Sequence, residues 1–284
     1  MRARLGRLTP ALGLVPFLLY LLVFLLVPTL VVLVGSFQEG GRFSLTNIRA
    51  LSDPSILHAL QESVVLSGST ALLGGVLGAL LAWLVVGLSP TNVVRRFVVS
   101  LCGAFAQTGG VSLAFAWIAT IGLSGVVTQW FDDHLHVQLM GSGWLYALPG
   151  LILVYCYFQI PLMVIVFLPA LEGLRPQWRE AAVNLGASKW QYFTQVVVPL
   201  LRPAFLGSVL LLFANAFAAY ATAAALVSQG SPILPLKIRE GLTSEIVLGR
   251  QHLAYAIALE MVVVVAIIMV LYALLLRRSA RWMR

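Results

Sequence analysis

Few side chains in this chain of 284 residues could do chemistry, because only 10% of the residues are charged. The densest group is Asp132-Asp133-His134-x-His136. Carboxylates and imidazoles are the ligands that transition metals such as Zn²⁺ select. No second cluster of this kind exists in the sequence to close a coordination shell. We therefore predict no metal site, and interpret the segment as a solvated loop that contacts a partner protein.

A second candidate is the serine in Gly122-Leu123-Ser124-Gly125, which is flanked by glycines as in rhomboid-like intramembrane proteases. A serine nucleophile needs a general base within hydrogen-bond reach. No histidine of the chain falls inside a long apolar stretch; the four are His58, His134, His136 and His252. The segment is therefore interpreted as a helix end, and no enzymatic activity is expected.

The elements that hold these residues are set by composition. Hydrophobic residues make up 60% of the chain and the mean hydropathy is +0.97, more apolar side chain than one water-soluble core can bury. A helix needs about 20 residues to cross a bilayer core of about 30 Å. Six stretches are long enough: approximately 14–37, 63–88, 97–122, 145–171, 204–228 and 253–276. We predict an all-α polytopic membrane protein, a single domain over residues 1–284 with six transmembrane helices.

The distribution of charge predicts the orientation. Thirteen of the 18 basic residues lie at one side of the six stretches: Arg2, Arg4, Arg7, Arg95, Arg96, Arg175, Arg179, Lys189, Arg202, Arg277, Arg278, Arg281 and Arg284. The opposite loops combine five basic with seven acidic residues. By the positive-inside rule both termini and the loop 172–202 are cytoplasmic. The first stretch is too long for a cleaved signal and has no Ala-x-Ala site, so we expect it to be retained.

Polar residues inside the apolar stretches are candidates for a transport pathway. Glu260 is the only acid in a predicted span, about 10 Å from its outer end. Because a charge at that depth costs about 2.5–3.5 kcal/mol, it should face a cavity or a partner, or stay protonated. Asn215, Tyr220 and Tyr255 are uncharged candidates. Hydrogen bonding between helices is the alternative role for all four.

Smaller signals describe packing and turns. Gly74 and Gly78 form a small-xxx-small pair that lets helix backbones approach closely. In the outer loop, Glu39-Gly40-Gly41 predicts a turn and Ser52-Asp53-Pro54 predicts a helix start. Prolines 16 and 28 predict a kink in the first span. The two cysteines, Cys102 and Cys156, fall inside predicted spans, so no disulfide is expected.

The loop 172–202 carries the strongest local pattern. Pro176 suits the first turn of a helix, where its missing N–H has no partner to lose, and Gly186 ends that helix. Ser188-Lys189-Trp190-Gln191 fits a capping box that opens a second short helix towards Pro199. Two short helices joined at Gly186 would form a rigid projection between the fourth and fifth spans.

Glu180-Ala181-Ala182, the following Gly186 and the distal Val196-x-Val198-Pro199 resemble the cytoplasmic loop of type I importers of the binding-protein-dependent ATP-binding-cassette (ABC) family. In that family the helix with Glu-Ala-Ala docks in a cleft of a separate ATPase. Val196 and Val198 stand where the family usually has Ile and Leu, a conservative change. The resemblance implies a permease fold and an ATPase-coupling interface formed by Glu180, Ala181, Ala182, Leu185, Gly186, Ala187, Ser188 and Pro199.

The resemblance reaches further along the chain. Four segments are similar to the first permease subunit of spermidine/putrescine-type systems: Ser36-Phe37, Ser44–Ile48, Asp53-Pro54 and Leu185–Lys189. This similarity implies a polyamine-like substrate, and phosphonates, sugars, thiamine and iron complexes stay open as alternatives. Such importers combine two ATPases, a second permease and a solute-binding protein. The resemblance implies that the second permease is a different chain, although a homodimer stays open. No nucleic acid partner is expected.

Cofactors are expected on the partners alone. The chain has no G-x-x-x-x-G-K-[ST] phosphate loop, so ATP and Mg²⁺ would be bound by the ATPase subunits. An ion-coupled secondary transporter is the competing interpretation, because it would explain Glu260 without an ATPase. Such transporters usually contain inverted repeats, and none is found in this sequence.

Overall fold

The computed structural model describes residues 9–136, 143–227, 233–243 and 250–280, and gives only the backbone for residues 9–13, 250 and 275–280. Several predictions of the charge analysis concern residues outside this part of the chain, namely Arg2, Arg4, Arg7, Arg281 and Arg284. Residue 228, the predicted end of the fifth span, also lies outside it.

Nearly all of the described chain is helical. The helices are α1 Thr9–Leu21, α2 Val27–Ser36, α3 Thr46–Ala50, α4 Pro54–Val86, α5 Val93–Gln107, α6 Val111–Ile121, α7 Val126–Leu135, α8 Leu148–Glu172, α9 Pro176–Asn184, α10 Lys189–Tyr192, α11 Val198–Ala218, α12 Ala221–Leu226, α13 Leu234–Thr243 and α14 Arg250–Ala280. One 3₁₀ turn covers Trp144–Tyr146, and π turns cover Leu22–Leu26 and Phe193–Val197.

Six helical stretches in the described residues are long and apolar enough to cross a membrane: Leu14–Ser36, Pro54–Val86, Val111–Leu135, Leu148–Glu172, Lys189–Ala218 and Gln251–Leu274. The predicted all-α membrane class with six spans is confirmed. The first stretch stays helical past Pro28, since a π turn widens the helix before that proline and Thr29 Oγ1 donates to the Leu25 carbonyl at 2.7 Å.

The third stretch differs most from the prediction of 97–122. Helix α5 ends at Gln107 and α6 begins only at Val111. Gly110 has φ +95°, a left-handed conformation that favours glycine. Its N–H donates to Thr222 Oγ1 at 2.8 Å, which satisfies a donor that the break would leave unpaired. A helix-to-side-chain bond, which hydropathy does not encode, therefore divides this predicted span.

The second and fifth stretches begin earlier than predicted. Helix α4 begins at Pro54, because Asp53 Oδ1 accepts the Ser55 N–H at 2.8 Å as the predicted helix start requires. A hydrogen bond from the Ser55 side chain, and after it the one from the Ser55 N–H, holds the pKa of the Asp53 carboxyl below its usual value. The short helix predicted after Ser188 is the first part of one helical stretch that continues to Ala218.

The chain divides into two compact units, Met1–Leu57 with Lys237–Val263, and His58–Leu236 with Val264–Arg284. In the first, strands β1 (Gln38–Glu39) and β2 (Arg42–Phe43) form an antiparallel hairpin. Its turn residues Gly40 and Gly41 have φ +57° and +78°, as a primed turn requires. The turn predicted in the outer loop is confirmed.

In the second unit, α4 packs against both α8 and α11. A Cβ added to Gly74 would meet both Gln159 of α8 and Leu212 of α11, and one added to Gly75 would meet Val209. Higher residue numbers of α4 thus lie beside lower ones of α11, so these two helices are antiparallel. The predicted packing role of Gly74 and Gly78 is confirmed.

We predict that Gly78→Ala destabilises the protein. A Cβ there would lie 2.6 Å from the Ile160 carbonyl oxygen and 2.5 Å from Met163 Cβ. Overpacking costs about 1–3 kcal/mol, which exceeds the gain of about 0.5–1 kcal/mol from replacing a helical glycine. The thermal midpoint of the detergent-purified protein measures the loss. Gly68→Ala, which meets nothing within 4 Å, is the control and should leave the midpoint unchanged or raise it.

Candidate functional site

Helix α9 is bounded by the residues that the sequence predicts. Pro176 is its first residue and follows Arg175, whose backbone is extended. At the other end, the Gly186 N–H donates to the Val183 carbonyl and the Ala187 N–H to the Ala182 carbonyl, both at 2.9 Å. This pair of bonds is a Schellman cap, and it requires the φ of +78° that Gly186 adopts.

The predicted capping box after Gly186 is also confirmed. Ser188 Oγ accepts the Gln191 N–H at 3.2 Å, and Gln191 Oε1 accepts the Ser188 N–H at 2.7 Å. A closed C-terminal cap and a closed N-terminal cap therefore meet at Ala187. The bend between the two helices is fixed by hydrogen bonds at both ends and is not a flexible linker.

The residues on this bend are exposed. No residue of α9 is buried, and three apolar side chains stand out in water or at the membrane surface: Val183 at 62%, Trp190 at 71% and Leu185 at 88% exposure. Glu180 and Ala181 are exposed as well, and Ala182 and Ala187 are half-buried. The structure thus brings the predicted residues from Glu180 to Ser188 onto one capped projection whose apolar side chains have no cover.

Pro199, the last residue of the motif, lies in the first turn of α11, directly after the π turn Phe193–Val197. Proline has no N–H and its ring crowds the preceding turn, and a π turn relieves that conflict. The other π turn of the described chain, Leu22–Leu26, also ends two residues before a proline, Pro28. Pro199 therefore lies where the π turn at the end of the projection passes into α11.

An ion pair that the sequence analysis did not identify holds the start of the projection. Glu172, the last residue of α8, binds the Arg95 guanidinium of α5, and Arg95 Nη1 also donates to the Leu88 carbonyl at 3.1 Å. The Arg95 side chain is only 11% exposed. The available signal was an acid directly after an apolar span, on the same side as the pair Arg95-Arg96.

Aromatic rings hold the other end. Trp190 stacks on Phe193 with ring centroids 6.0 Å apart, and Phe193 meets Trp83 of α4 edge-on at 5.6 Å. The projection is thus attached to α5 through Glu172 and to α4 through Phe193.

The two pathway candidates of the second unit, Asn215 and Tyr220, lie near bonds that join helices. Asn215 Nδ2 donates to Gln159 Oε1 at 3.4 Å, and the fully buried Gln159 donates in turn to the Leu212 carbonyl at 2.7 Å. Tyr220 lies between α11 and α12, where the Tyr155 hydroxyl donates to the Ala219 carbonyl at 2.8 Å. The alternative role, interhelical bonding, is thus the one observed for Asn215.

The candidates of the first unit differ from each other. The Tyr255 ring packs directly against Gly35, 2.5 Å from where a Cβ would be, and His252 Nδ1 lies 2.9 Å from the Gly35 carbonyl oxygen. Tyr255 therefore has a packing role. Glu260 is half-buried, and its Oε2 is buried with no hydrogen-bond partner among the described residues. Glu260 thus retains an acceptor without a partner in the described part of the chain.

The segment Asp132–His136, predicted to be a solvated loop, is helical up to Leu135, the last residue of α7. In α7, His134 stacks on Trp130 and its Nδ1 lies 3.0 Å from the Trp130 carbonyl oxygen. The described residues contain no group of three or more side chains placed to hold a metal. The segment from Gly122 to Gly125 links α6 to α7, as predicted for a helix end. Cys102 and Cys156 are free and buried.

A family model described as "Binding-protein-dependent transport system inner membrane component" matches residues 3–284. The sulfate transport system permease protein CysW of Escherichia coli (strain K12) is 32% identical over 75% of this chain and 71% of its own length. A putative ferric transport system permease protein, FbpB 1 of Haemophilus influenzae, is 27% identical over 71% of this chain but only 31% of its own length.

Solved structures show the same fold at lower identity. A chain of a bacterial alginate ABC transporter, in complex with an alginate-bound periplasmic protein, matches with a TM-score of 0.75 and 19% identity. It is covered over 97% of its length, and this chain over 98%. A chain of the MetNI methionine ABC transporter matches with a TM-score of 0.60 and 15% identity, over 80% of this chain and 99% of its own.

We predict that reversing one charge of the Arg95–Glu172 pair destabilises the base of the projection, and that reversing both restores it. Arg95→Glu or Glu172→Arg should lower the thermal midpoint and increase proteolysis of the loop, because two like charges then face each other. The double variant should recover most of the loss. Arg96→Glu, at an exposed neighbour, should have little effect; an equal effect at Arg96 would contradict a specific pair.

Proposed function

We propose how this chain works from the premise that it belongs to the family of binding-protein-dependent transport system inner membrane components. It is a multi-pass membrane permease of the ABC importer class. Within that class we propose that the projection around Gly186 is the point at which a separate ATPase drives the permease. The observation that carries this proposal is the exposure of Leu185, Trp190 and Val183 on a segment with capped helices.

The partner at this surface is proposed from charge and shape. Small side chains, Ala181 and Ala182, allow the backbone of α9 to approach another protein closely, and Glu180 adds one exposed carboxylate beside them. An apolar side chain as exposed as Leu185 is typical of an interface that another subunit covers. ATP and Mg²⁺ would be bound by that subunit, since this sequence has no phosphate loop.

Motion would pass from the ATPase to the membrane spans through the two attachments of the projection. A push on α9 would act on α5 through the Glu172–Arg95 pair, and on α4 through Phe193 and Trp83. ATP binding would close the ATPase dimer and open the pathway outward, and hydrolysis would reset it. This requires the projection and both termini to be cytoplasmic, as the distribution of basic residues favours.

The full importer is proposed to contain two ATPases, a second permease chain and an extracytoplasmic solute-binding protein. The solved alginate transporter is in complex with a periplasmic protein, which supports the last of these. A different second permease is the favoured arrangement, and two copies of this chain are the alternative. A secondary transporter would need no partner subunit on Leu185. That interpretation therefore gives no reason for the exposed apolar side chains.

For the substrate, the relatives favour a small inorganic ion. The relative at 32% identity is named for sulfate and another for ferric iron, whereas the polyamine expected from sequence resemblance has no support among them. We therefore propose a sulfate-like oxyanion as the first candidate. A cation, ferric iron or a polyamine, is the second candidate, favoured by the unpaired Oε2 of Glu260.

Leu185→Glu and Glu180→Arg should each abolish co-purification of the ATPase, or reduce it at least tenfold. The first places a charge on the apolar face and the second reverses the charge beside it. Co-expression of the transporter operon with an affinity tag on this chain measures the effect. Val93→Glu, at a 78% exposed valine at the start of α5, is the control and should retain the ATPase. Retention in both loop variants would refute coupling through this surface.

Uptake by the complete transporter in proteoliposomes, with its own binding protein, separates the substrate candidates. We expect ATP-dependent uptake of labelled sulfate, unchanged within twofold in Glu260→Gln. If the substrate is instead a cation, uptake of ferric iron or spermidine should fall at least tenfold in that variant. Glu39→Gln, at an exposed acid of the outer hairpin, controls for loss of charge. Transport driven by a proton gradient without ATP would favour the secondary transporter.

A further inference from the structure

A groove in the second unit lies outside the exposed coupling residues Glu180–Ser188 and contains none of the pathway candidates described above. It lies between α4 and α11, with α8 beneath, and its cavity volume is about 450 Å³. Sites for small organic molecules in proteins typically measure about 300–1,000 Å³. It is lined by Val76, Ala79, Leu80, Trp83, Phe167, Phe193, Val197, Val198, Leu201, Arg202 and Phe205.

The groove has a buried floor and an open, apolar rim. Phe167, Val197 and Leu201 on the floor are buried, whereas Val76 and Leu80 on the rim are more than half exposed. In a membrane-spanning chain such a groove opens towards the hydrocarbon or towards a neighbouring protein. Its surface therefore suits an extended alkyl chain, which needs apolar contact and offers no hydrogen bonds.

Arg202 is the one charged residue among the described residues that line the groove. It is exposed, and no carboxylate of the described chain lies within 4 Å of it. The contact of Gly75 with Val209 shows which residues of the antiparallel helices α4 and α11 lie opposite each other. Counting seven residues from each, Arg202 lies level with Ala82, next to Trp83.

A guanidinium and an indole thus lie at one end of an apolar groove. Arginine binds phosphate oxygens through paired hydrogen bonds. Tryptophan is enriched at the depth of lipid headgroups, and basic pockets between membrane helices bind anionic headgroups. A partner helix would fill the groove but leave Arg202 without an anion, unless that helix supplied an acid.

We propose that this groove binds one anionic phospholipid of the surrounding bilayer, with an acyl chain along Val76, Ala79 and Leu80 and the phosphate on Arg202. The lipid would lie against Phe193 and Trp83, the aromatic pair that attaches the coupling projection to α4. Lipid composition would therefore influence how firmly the projection is held.

Native mass spectrometry of the complete purified transporter tests this. Dioleoylphosphatidylglycerol should give a retained adduct, and dioleoylphosphatidylcholine at least fivefold less. Arg202→Gln, which removes the phosphate contact, and Ala79→Phe, which fills the groove, should each reduce the phosphatidylglycerol adduct at least fivefold. Arg202→Lys should keep part of it. Thermal midpoints verify that each variant is folded, and the two variants act on different ends of the site.

Arg96→Gln is the matched control, since it removes an exposed arginine at the same end of the spans but outside the groove. It should leave the adduct unchanged. An equal loss in Arg96→Gln would mean general charge attraction and overturn the proposal. So would competition by inorganic phosphate, which would indicate an ion site without a lipid, or an adduct that persists in both groove variants. A second permease chain crosslinked into the groove of the assembled transporter would overturn it as well.

Discussion

The structure depends on one constraint, that a backbone inside a bilayer finds all its hydrogen-bond partners within the protein. Two helix interruptions in the second unit show how this is met. Where α5 gives way to α6, the Gly110 N–H is bound by Thr222, and where α11 ends, the Ala219 carbonyl is bound by Tyr155. Each break is thus stabilised by a side chain from another helix, and the breaks can exist only in the packed protein.

The projection between α8 and α11 is not under this constraint, because water can form hydrogen bonds with its backbone. Its helices are nevertheless closed by local bonds, the Schellman cap at Gly186 and the capping box at Ser188. The side chains of Val183, Leu185 and Trp190 take no part in these caps and are exposed. A surface that is rigid in its backbone and uncovered in its side chains is suited to transmit force to and from a partner subunit.

Local signals were sufficient where the structure is local. Four predicted features each depend on residues a few positions apart: the bounds of α9, the bend at Gly186, the turn at Gly40-Gly41 and the helix start at Ser52-Asp53-Pro54. Hydropathy did not predict that the third span is divided at Gly110 or that the fifth begins at Lys189. It averages over a window and does not detect which carbonyls and amides have hydrogen-bond partners elsewhere. The bond from Asn215 to Gln159 depends on packing between two helices in the same way.

Apolar length in the sequence alone determined that this protein is helical and membrane-spanning, and the Glu-Ala-Ala spacing carried its resemblance to the permease family. Both are properties of consecutive residues. Only the tertiary structure decided what supports that projection and what lies beside it. Arg95 and Glu172 are 77 residues apart, and Gly110 and Thr222 are 112 apart. The groove at Arg202 likewise needs three helices at once. Such groups interact only after packing has brought distant segments within a few ångströms, and no local pattern specifies that.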